Sequence, residues 1–517
     1  MTFRTIRLAA GLMLAACSGG ALATVQASAT IDTARPGSRI SPEIYGQFAE
    51  ELGHGIDGGI WVGPGSAIPN INGYRKDVVD ALRRLHVPVV RWPGGCYADT
   101  YHWQNGVGPR DRRPVTINYS WGGVEQRNAF GTSEFFDFAE LIGAKTYLSV
   151  NLGSGTPQEA RDWVEYITSP GHSDLAEQRR ANGRAAPWKL DYVGLGNEMW
   201  GCGGNQTAEE SSAIMRRFAT YLAIGPKLIA SGASDRDYHW TEVVMKSEGP
   251  YHAASPYAGL SLHYYTVPTG VWDHKGAAVG FPESEWASTL RNTREIEGMI
   301  ARHEAIMDKA DPARKIGLMV DEWGTWTDPS PGSNAAFLVQ SNTLRDALVA
   351  ATNFHIFHRH AARVQMANIA QMVNVLQAMI QTDGPRMALT PTYYAFQMYE
   401  PFQGATTLPL TMVSPDYVSG QMRLPAIDGT AARGTDGKIY IGLVNADPNN
   451  AAEVAISLAG RGTVSGQLLT GPAMDSRNDI GRPQQVLPQT FTGFRRSSGG
   501  LKVAMPAKSV VVLKIEP

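Results

Sequence analysis

From about Gly46 to Phe396 the chain alternates strand-like and helix-like stretches, and this rhythm limits the fold more than any other feature. Lys76 to His86 places Val78, Val79, Leu82 and Leu85 on one helical face, and the apolar run Val89-Val90-Arg91-Trp92 behind it reads as a buried strand. Ser133 to Leu141 reads as a second helix leading into a strand at Thr146 to Val150. Thr156-Pro157-Gln158-Glu159 supplies an N-cap, a proline at the first helical position and a glutamate at the third; Thr207-Ala208-Glu209-Glu210 opens another helix by the same capping-box logic. Tyr192 to Gly196, Leu260 to His263 and Ile316 to Val320 are strand-like, and Glu283 to Lys309 is largely helical. Repeated units of this kind predict an α/β fold, either a (β/α)8 barrel or an open doubly wound sheet. No phosphate-binding glycine fingerprint sits at a strand-to-helix turn, which favours the barrel.

Beyond Phe402 the texture changes. Ile439 to Val444, Val454 to Leu458, Gly466 to Leu469 and Val510 to Ile515 are short β-like runs separated by Gly, Pro, Asn and Asp, the pattern of an antiparallel β-sandwich. The strand-like stretch within Ala27 to Ile44 is able to join it from the other end of the chain. The expected plan is therefore an export signal over 1–23, an N-terminal strand segment over 24–45, a catalytic barrel over 46–400 and a C-terminal sandwich over 401–517.

The export signal rests on Arg4 and Arg7 ahead of the apolar stretch Leu8 to Ala16, which is too short to span a ~30 Å bilayer. Leu14-Ala15-Ala16-Cys17 resembles a lipobox, with cleavage before a lipidated Cys17, whereas Ala21-Leu22-Ala23 offers ordinary cleavage after 23. Both stay open, so the expected location is periplasmic, at the outer membrane as a lipoprotein, or secreted, with membrane contact only through Cys17. That leaves Cys96 and Cys202, bridged or free. A net charge of −2, with no basic or acidic block, argues against nucleic acid or an acidic membrane surface as the main partner.

Two segments share one design, an apolar strand ending in a carboxylate beside aromatics: Tyr192 to Trp200, carrying Glu198, and Ile316 to Trp323, carrying Glu322. A barrel gathers the C-terminal ends of its strands at one face, so both glutamates converge there. Two carboxylates about 5–5.5 Å apart suit a retaining glycosidase. His263 has no second His or Cys at ligand spacing along the chain, so neither a metal nor any other cofactor is expected.

Gly196-Asn197-Glu198 resembles the Asn-Glu signature of the large clan of (β/α)8 retaining glycosidases, with the acid/base on strand four and the nucleophile on strand seven. Six ordered segments together resemble glycoside hydrolase family 51, the α-L-arabinofuranosidases: Ile44 to Glu50, Arg91 to Cys96, Gly196 to Gly201, Ser261 to Tyr265, Asp321 to Trp323 and Ala370 to Asn374. The resemblance runs from about residue 28 to the C-terminus and is loosest over its last strand. It implies Glu198 as acid/base and Glu322 as nucleophile. It also implies Glu50, Asn197 and Gln371 on the arabinose hydroxyls, Tyr265 (with Tyr264 as the neighbouring alternative) against the nucleophile, Trp121 walling the leaving-group side, and Arg91 and His263 as supports. The family's Pro-Gly-Gly turn ends in an asparagine that touches the sugar; Cys96 stands there and lacks an amide's paired donor and acceptor. A Cys96–Cys202 disulfide stapling two active-site loops is one expectation, two free thiols the other. The implied substrate is an arabinose-containing polysaccharide or oligosaccharide, attacked from its terminus, and the family implies a homo-oligomer. A β-glucanase or β-xylosidase with the same glutamate pair, and a non-catalytic glycan-binding lipoprotein, are the alternatives.

Overall fold

The computed structural model describes residues 24–222, 225–249, 253–459, 462–497 and 499–516. Both cleavage readings, and Cys17, lie outside them. Eight strands close into a barrel: Gly46–Phe48, Val89–Trp92, Lys145–Val150, Tyr192–Leu195, Lys227–Ser234, Tyr257–Thr266, Gly317–Thr325 and Val364–Ile369, in chain order around the ring. Every neighbouring pair is parallel, including the closure of the eighth strand on the first. The interior is plugged by Val89, Tyr147, Tyr192, Ile229, Met319 and Met366, so the barrel is a packed core rather than a pore.

The helices begin where the capping chemistry places them. Thr156 accepts from the Glu159 amide and Pro157 opens the helix Pro157–Thr168. Thr207 and Glu210 exchange hydrogen bonds at the start of Ala208–Leu222. The fifth strand and the helix Leu344–Arg359 lack a legible pattern. Lys227–Ser234 is rich in Ala, Ser and Gly and carries no β-branched run. Leu344–Arg359 is buried from Leu344 to His358 on all sides, so it has no polar face to set a period. That helix is wedged between barrel and sandwich, against sandwich strands Ile427–Arg433, Ile439–Asn445 and Ser509–Glu516.

The sandwich has a five-stranded and a six-stranded sheet. The N-terminal strand Val25–Ile31 enters the first of these, between Leu410–Val413 and Ala452–Ser457. It pairs antiparallel with the former but parallel with the latter, so the sandwich is not wholly antiparallel. A parallel neighbour needs a long crossover rather than a hairpin, and here the barrel and the first sandwich strands after it make up that crossover.

Candidate active site

The residues singled out in the sequence meet at the C-terminal ends of the strands. Glu50 follows the first strand, the Pro93-Gly94-Gly95-Cys96 turn the second, Asn197 and Glu198 the fourth, and Gln371 the eighth; His263 and Tyr265 lie on the sixth and Glu322 on the seventh. A Cβ on Gly94 would lie 2.5 Å from Cγ of Glu50, and one on Gly95 would lie 3.0 Å from Oε1 of Glu322. Only a glycine pair lets the second-strand loop pass between those carboxylates. Glu198 sits at φ +43°, a left-handed backbone costing about 1–3 kcal/mol that points to a held, functional loop.

Glu322 is gripped from both sides. Arg91 Nη1 donates to its Oε1 at 2.8 Å and the Tyr265 hydroxyl to its Oε2 at 2.7 Å. Burial pushes this carboxyl up, but the charges of His263 and Arg91, with hydrogen bonds from Arg91 and Tyr265, outweigh it and hold Glu322 below its ordinary value. Arg91 in turn is secured by Asn197 Oδ1 at 2.5 Å and by the Phe48 ring, 4.4 Å away. His263 Nδ1 hydrogen-bonds Glu198 Oε1 at 2.9 Å and lies 3.6 Å from Glu322 Oε2, within ion-pairing reach of the second glutamate. Burial disfavours its charge, yet the Glu322 and Glu198 carboxylates raise its pKa.

One ligating atom from each of Glu198, His263 and Glu322 lies within 4.8 Å of the others, a grouping that spacing along the chain does not reveal. The donor set suits proton chemistry better than a metal, because Arg91 already occupies Oε1 of Glu322 and the Tyr265 hydroxyl its Oε2, the oxygen nearest His263. Cys96, Glu198 and Cys202 form a second such grouping, but the two sulfurs are bonded to each other at 2.10 Å and supply no thiolate. The Cys202 sulfur is 3.8 Å from Glu198 Oε2 and, as part of a disulfide, cannot donate to it. The bridge joins the loops after the second and fourth strands.

Glu50 is buried and accepts from the Gly95 and Tyr97 amides and, at 2.8 Å, from the Trp121 indole; its other oxygen takes the Gln371 amide at 3.1 Å. Burial and the nearby Glu322 charge push it up to about 7. Gln371 is buried, and among the described residues its Oε1 has no hydrogen-bond partner. Tyr265, not Tyr264, faces Glu322, because the Tyr264 hydroxyl is turned to the Asn292 carbonyl at 2.5 Å. Asp99 belongs to no motif in the sequence. It is buried and accepts from the Leu152, Gly153 and Asn197 amides at 2.8–2.9 Å, pinning the loops after the third and fourth strands. Burial pushes it to about 7 despite those bonds. Its only sequence signal was its place three residues after Cys96.

The void above these residues has two parts. A small recess of about 40 Å³ is lined by Glu50, Asn197, Glu322 and Gln371 with Phe48, Leu52, Leu338 and Leu376. A wider cavity of about 620 Å³ opens beyond it. Cys96, Trp121, Glu198, Tyr265 and Trp326 line both. Glu198 therefore stands at the junction, 19% exposed, and Glu322 at the floor, 7% exposed.

Comparison with known proteins then decides the family. Residues 81–275 match the model of the alpha-L-arabinofuranosidase 1 domain and 321–509 that of the alpha-L-arabinofuranosidase C-terminal domain. An intracellular exo-alpha-L-arabinofuranosidase of Bacteroides ovatus is 47% identical, over 95% of this chain and 96% of its own. The chain belongs to glycoside hydrolase family 51, the α-L-arabinofuranosidases. Among solved structures, the family 51 arabinofuranosidase of Xanthomonas axonopodis pv. citri superposes with a TM-score of 0.92 at 50% identity, covering 95% of this chain and all of that one. The α-L-arabinofuranosidase of Thermotoga maritima, solved as an arabinose complex, gives 0.83 at 30% identity over the same shares. Members thus share the barrel and sandwich, and this chain is a glycoside hydrolase that removes arabinofuranose; the β-glucanase, β-xylosidase and non-catalytic alternatives are not favoured.

The expectation of export is corrected. The B. ovatus relative is named an intracellular enzyme, which points away from a signal peptide, a lipid anchor at Cys17 and a periplasmic, outer-membrane or secreted location. A short apolar stretch behind two arginines is a compositional pattern with no packing constraint behind it, so it is weak evidence of address. The Cys96–Cys202 pairing consequently rests on proximity, with Cα atoms 5.4 Å apart, and not on an oxidising compartment.

Proposed function

We propose that the site removes terminal α-L-arabinofuranosyl groups from arabinoxylan, arabinan or derived oligosaccharides by double displacement with retention. The observation carrying this reading is the unequal environment of two carboxylates with oxygens within 4.8 Å of each other. Glu322, held ionised at the floor, attacks the anomeric carbon while Glu198, at the junction, gives its proton to the departing oxygen. Glu198 then takes a proton from water, which displaces Glu322 and leaves the sugar in its original configuration. The close separation favours this route over inversion, where about 6.5–9.5 Å leaves room for a water. Glu50 and Gln371 in the lining of the recess are both buried, which supports a site that takes a terminal sugar, and Glu50, Asn197 and Gln371 supply the polar groups for the sugar hydroxyls. Arg91 and Tyr265 keep Glu322 in place, and His263 couples it to Glu198.

The deciding experiment is Glu322→Ala on an aryl α-L-arabinofuranoside with and without azide. Activity should collapse and return with azide as a glycosyl azide of inverted configuration, because the small anion enters from the face the carboxylate vacated. Undiminished hydrolysis by the variant would refute the assignment.

A further inference from the structure

The wider cavity is far larger than the recess, and pockets of about 300–1,000 Å³ enclose most of a drug-sized ligand. Because Glu198 stands at the junction, whatever occupies the wider cavity lies on the leaving-group side of the bond to be broken. There is room for more than one sugar ring there.

Two features of the wall define the chemistry of an occupant. Asp235 and Glu295 are matched by Arg236 and Arg291, both arginines pair with Glu295, and His263 pairs with Glu198, so the charged groups of the wall are held in pairs. Such a wall suits neutral, hydroxyl-rich groups. The second feature is Trp272, whose side chain remains 55% exposed at the cavity although an indole normally buries most of its surface. It is held rigidly nonetheless. Its ring meets Trp326 edge-on at 4.9 Å, and the Lys275 ammonium lies 4.4 Å from its centroid. The loop carrying it is tied down by Asp328, which accepts from the Lys275 and Gly276 amides at 3.0 and 3.1 Å. With Lys275 over one face of the ring, the part of this fixed indole left exposed beside the charge-paired wall offers an apolar surface to the C–H side of a sugar ring.

We infer that the wider cavity binds a neutral oligosaccharide leaving group of at least two sugar units, and that Trp272 is the platform that reads the unit farther from the scissile bond. This rests on the hydrolytic reading above and extends it from the cleaved sugar to the chain that carries it. Substrates with one bond type and different leaving-group lengths isolate the effect: α-L-arabinofuranosyl-xylose against α-L-arabinofuranosyl-xylotriose, and arabinobiose against arabinotetraose.

In at least one of the two series the wild type should show a kcat/KM at least tenfold higher on the longer member. Trp272→Ala should bring that ratio to within threefold of one, mainly through KM, because the lost contact is made equally before and during reaction. Trp272→Phe keeps a flat apolar face and should restore most of the ratio. The series that shows the preference names the backbone sugar. A wild type indifferent to length in both series, or a length preference that survives Trp272→Ala, would overturn the inference. A wild type that cleaves none of these compounds, nor an aryl arabinofuranoside, would overturn the hydrolytic reading itself.

Discussion

Tyr265→Phe separates the two chemical steps. The substitution removes one oxygen and leaves the ring in its place, edge-on to Trp326 at 4.8 Å, so the fold has little reason to respond. What is lost is the 2.7 Å hydrogen bond to Glu322 Oε2. The Tyr265 hydroxyl keeps its proton throughout, since burial and then the Glu322 charge push its pKa well up. In the first step the nucleophile gives up negative charge to the sugar, so that bond weakens and its absence costs little. In the second step the charge returns to Glu322 as it departs, and the bond strengthens. A hydrogen bond to a charged acceptor contributes about 1.5–3 kcal/mol, which at about 1.4 kcal/mol per tenfold is roughly a ten- to 150-fold fall in the second step. With a good aryl leaving group, kcat should fall by that factor, kcat/KM by much less, and a pre-steady-state burst of aryl alcohol should appear. The acidic limb of kcat/KM should also move to higher pH. Glu322 is held below its ordinary value partly by this hydroxyl, so its removal raises the pKa and protonates the nucleophile sooner as pH falls. A kcat within twofold of wild type, with no burst and an unmoved acidic limb, would refute the reasoning. Tyr264→Phe, whose hydroxyl faces Asn292, should show none of these effects.

Glu198→Gln should lower kcat/KM on an arabinoxylo-oligosaccharide by about 10²–10⁴-fold but far less on a dinitrophenyl arabinofuranoside, whose leaving group needs no proton; steady-state kinetics on both substrates check it. Cys202→Ser opens a loop spanning 106 residues, for which chain entropy gives up to about 4.7 kcal/mol. Denaturant unfolding of wild type and variant should show the difference under oxidising conditions and none after reduction. His358 is buried between Tyr45 and Thr430, and burial, His355 and Arg359 push its pKa well below the usual ~6.5. Below about pH 6.5 the unfolded chain therefore takes up a proton that the folded one refuses, and stability falls with pH through this group. Glu50 and Asp99, pushed up to about 7, act in the opposite sense, so the test is the difference in slope of Tm against pH between wild type and His358→Gln, which should be shallower on the acidic side.

The sequence disclosed most where a single local rule sufficed. Thr156-Pro157 and Thr207-Glu210 marked helix starts because a cap is settled within four residues. Glu198 and Glu322 were visible because each ends an apolar strand, and a closed barrel brings strand ends together whatever lies between. Roles set by contacts between distant strands were not legible in that way. His263 reads only as a support, because the glutamates it meets lie 65 and 59 residues away, and the parallel register of the sixth and seventh strands, with His263 opposite Glu322, is what brings it between them. Asp99 was missed for the same reason, since its three donors come from two other loops. Trp272 is the sharpest case. In a chain with twelve tryptophans nothing marks one as different, and its interest lies in a combination that no local pattern encodes: a braced loop, an exposed indole and a cavity beside Glu198. The meeting of the two glutamates was therefore readable from strand-end motifs, while the discrimination among leaving groups proposed for Trp272 depends on loops whose sequence obeys no period. Relatives that keep Glu198 and Glu322 but differ over residues 267–276 should accordingly share the reaction and diverge in the length of chain they accept.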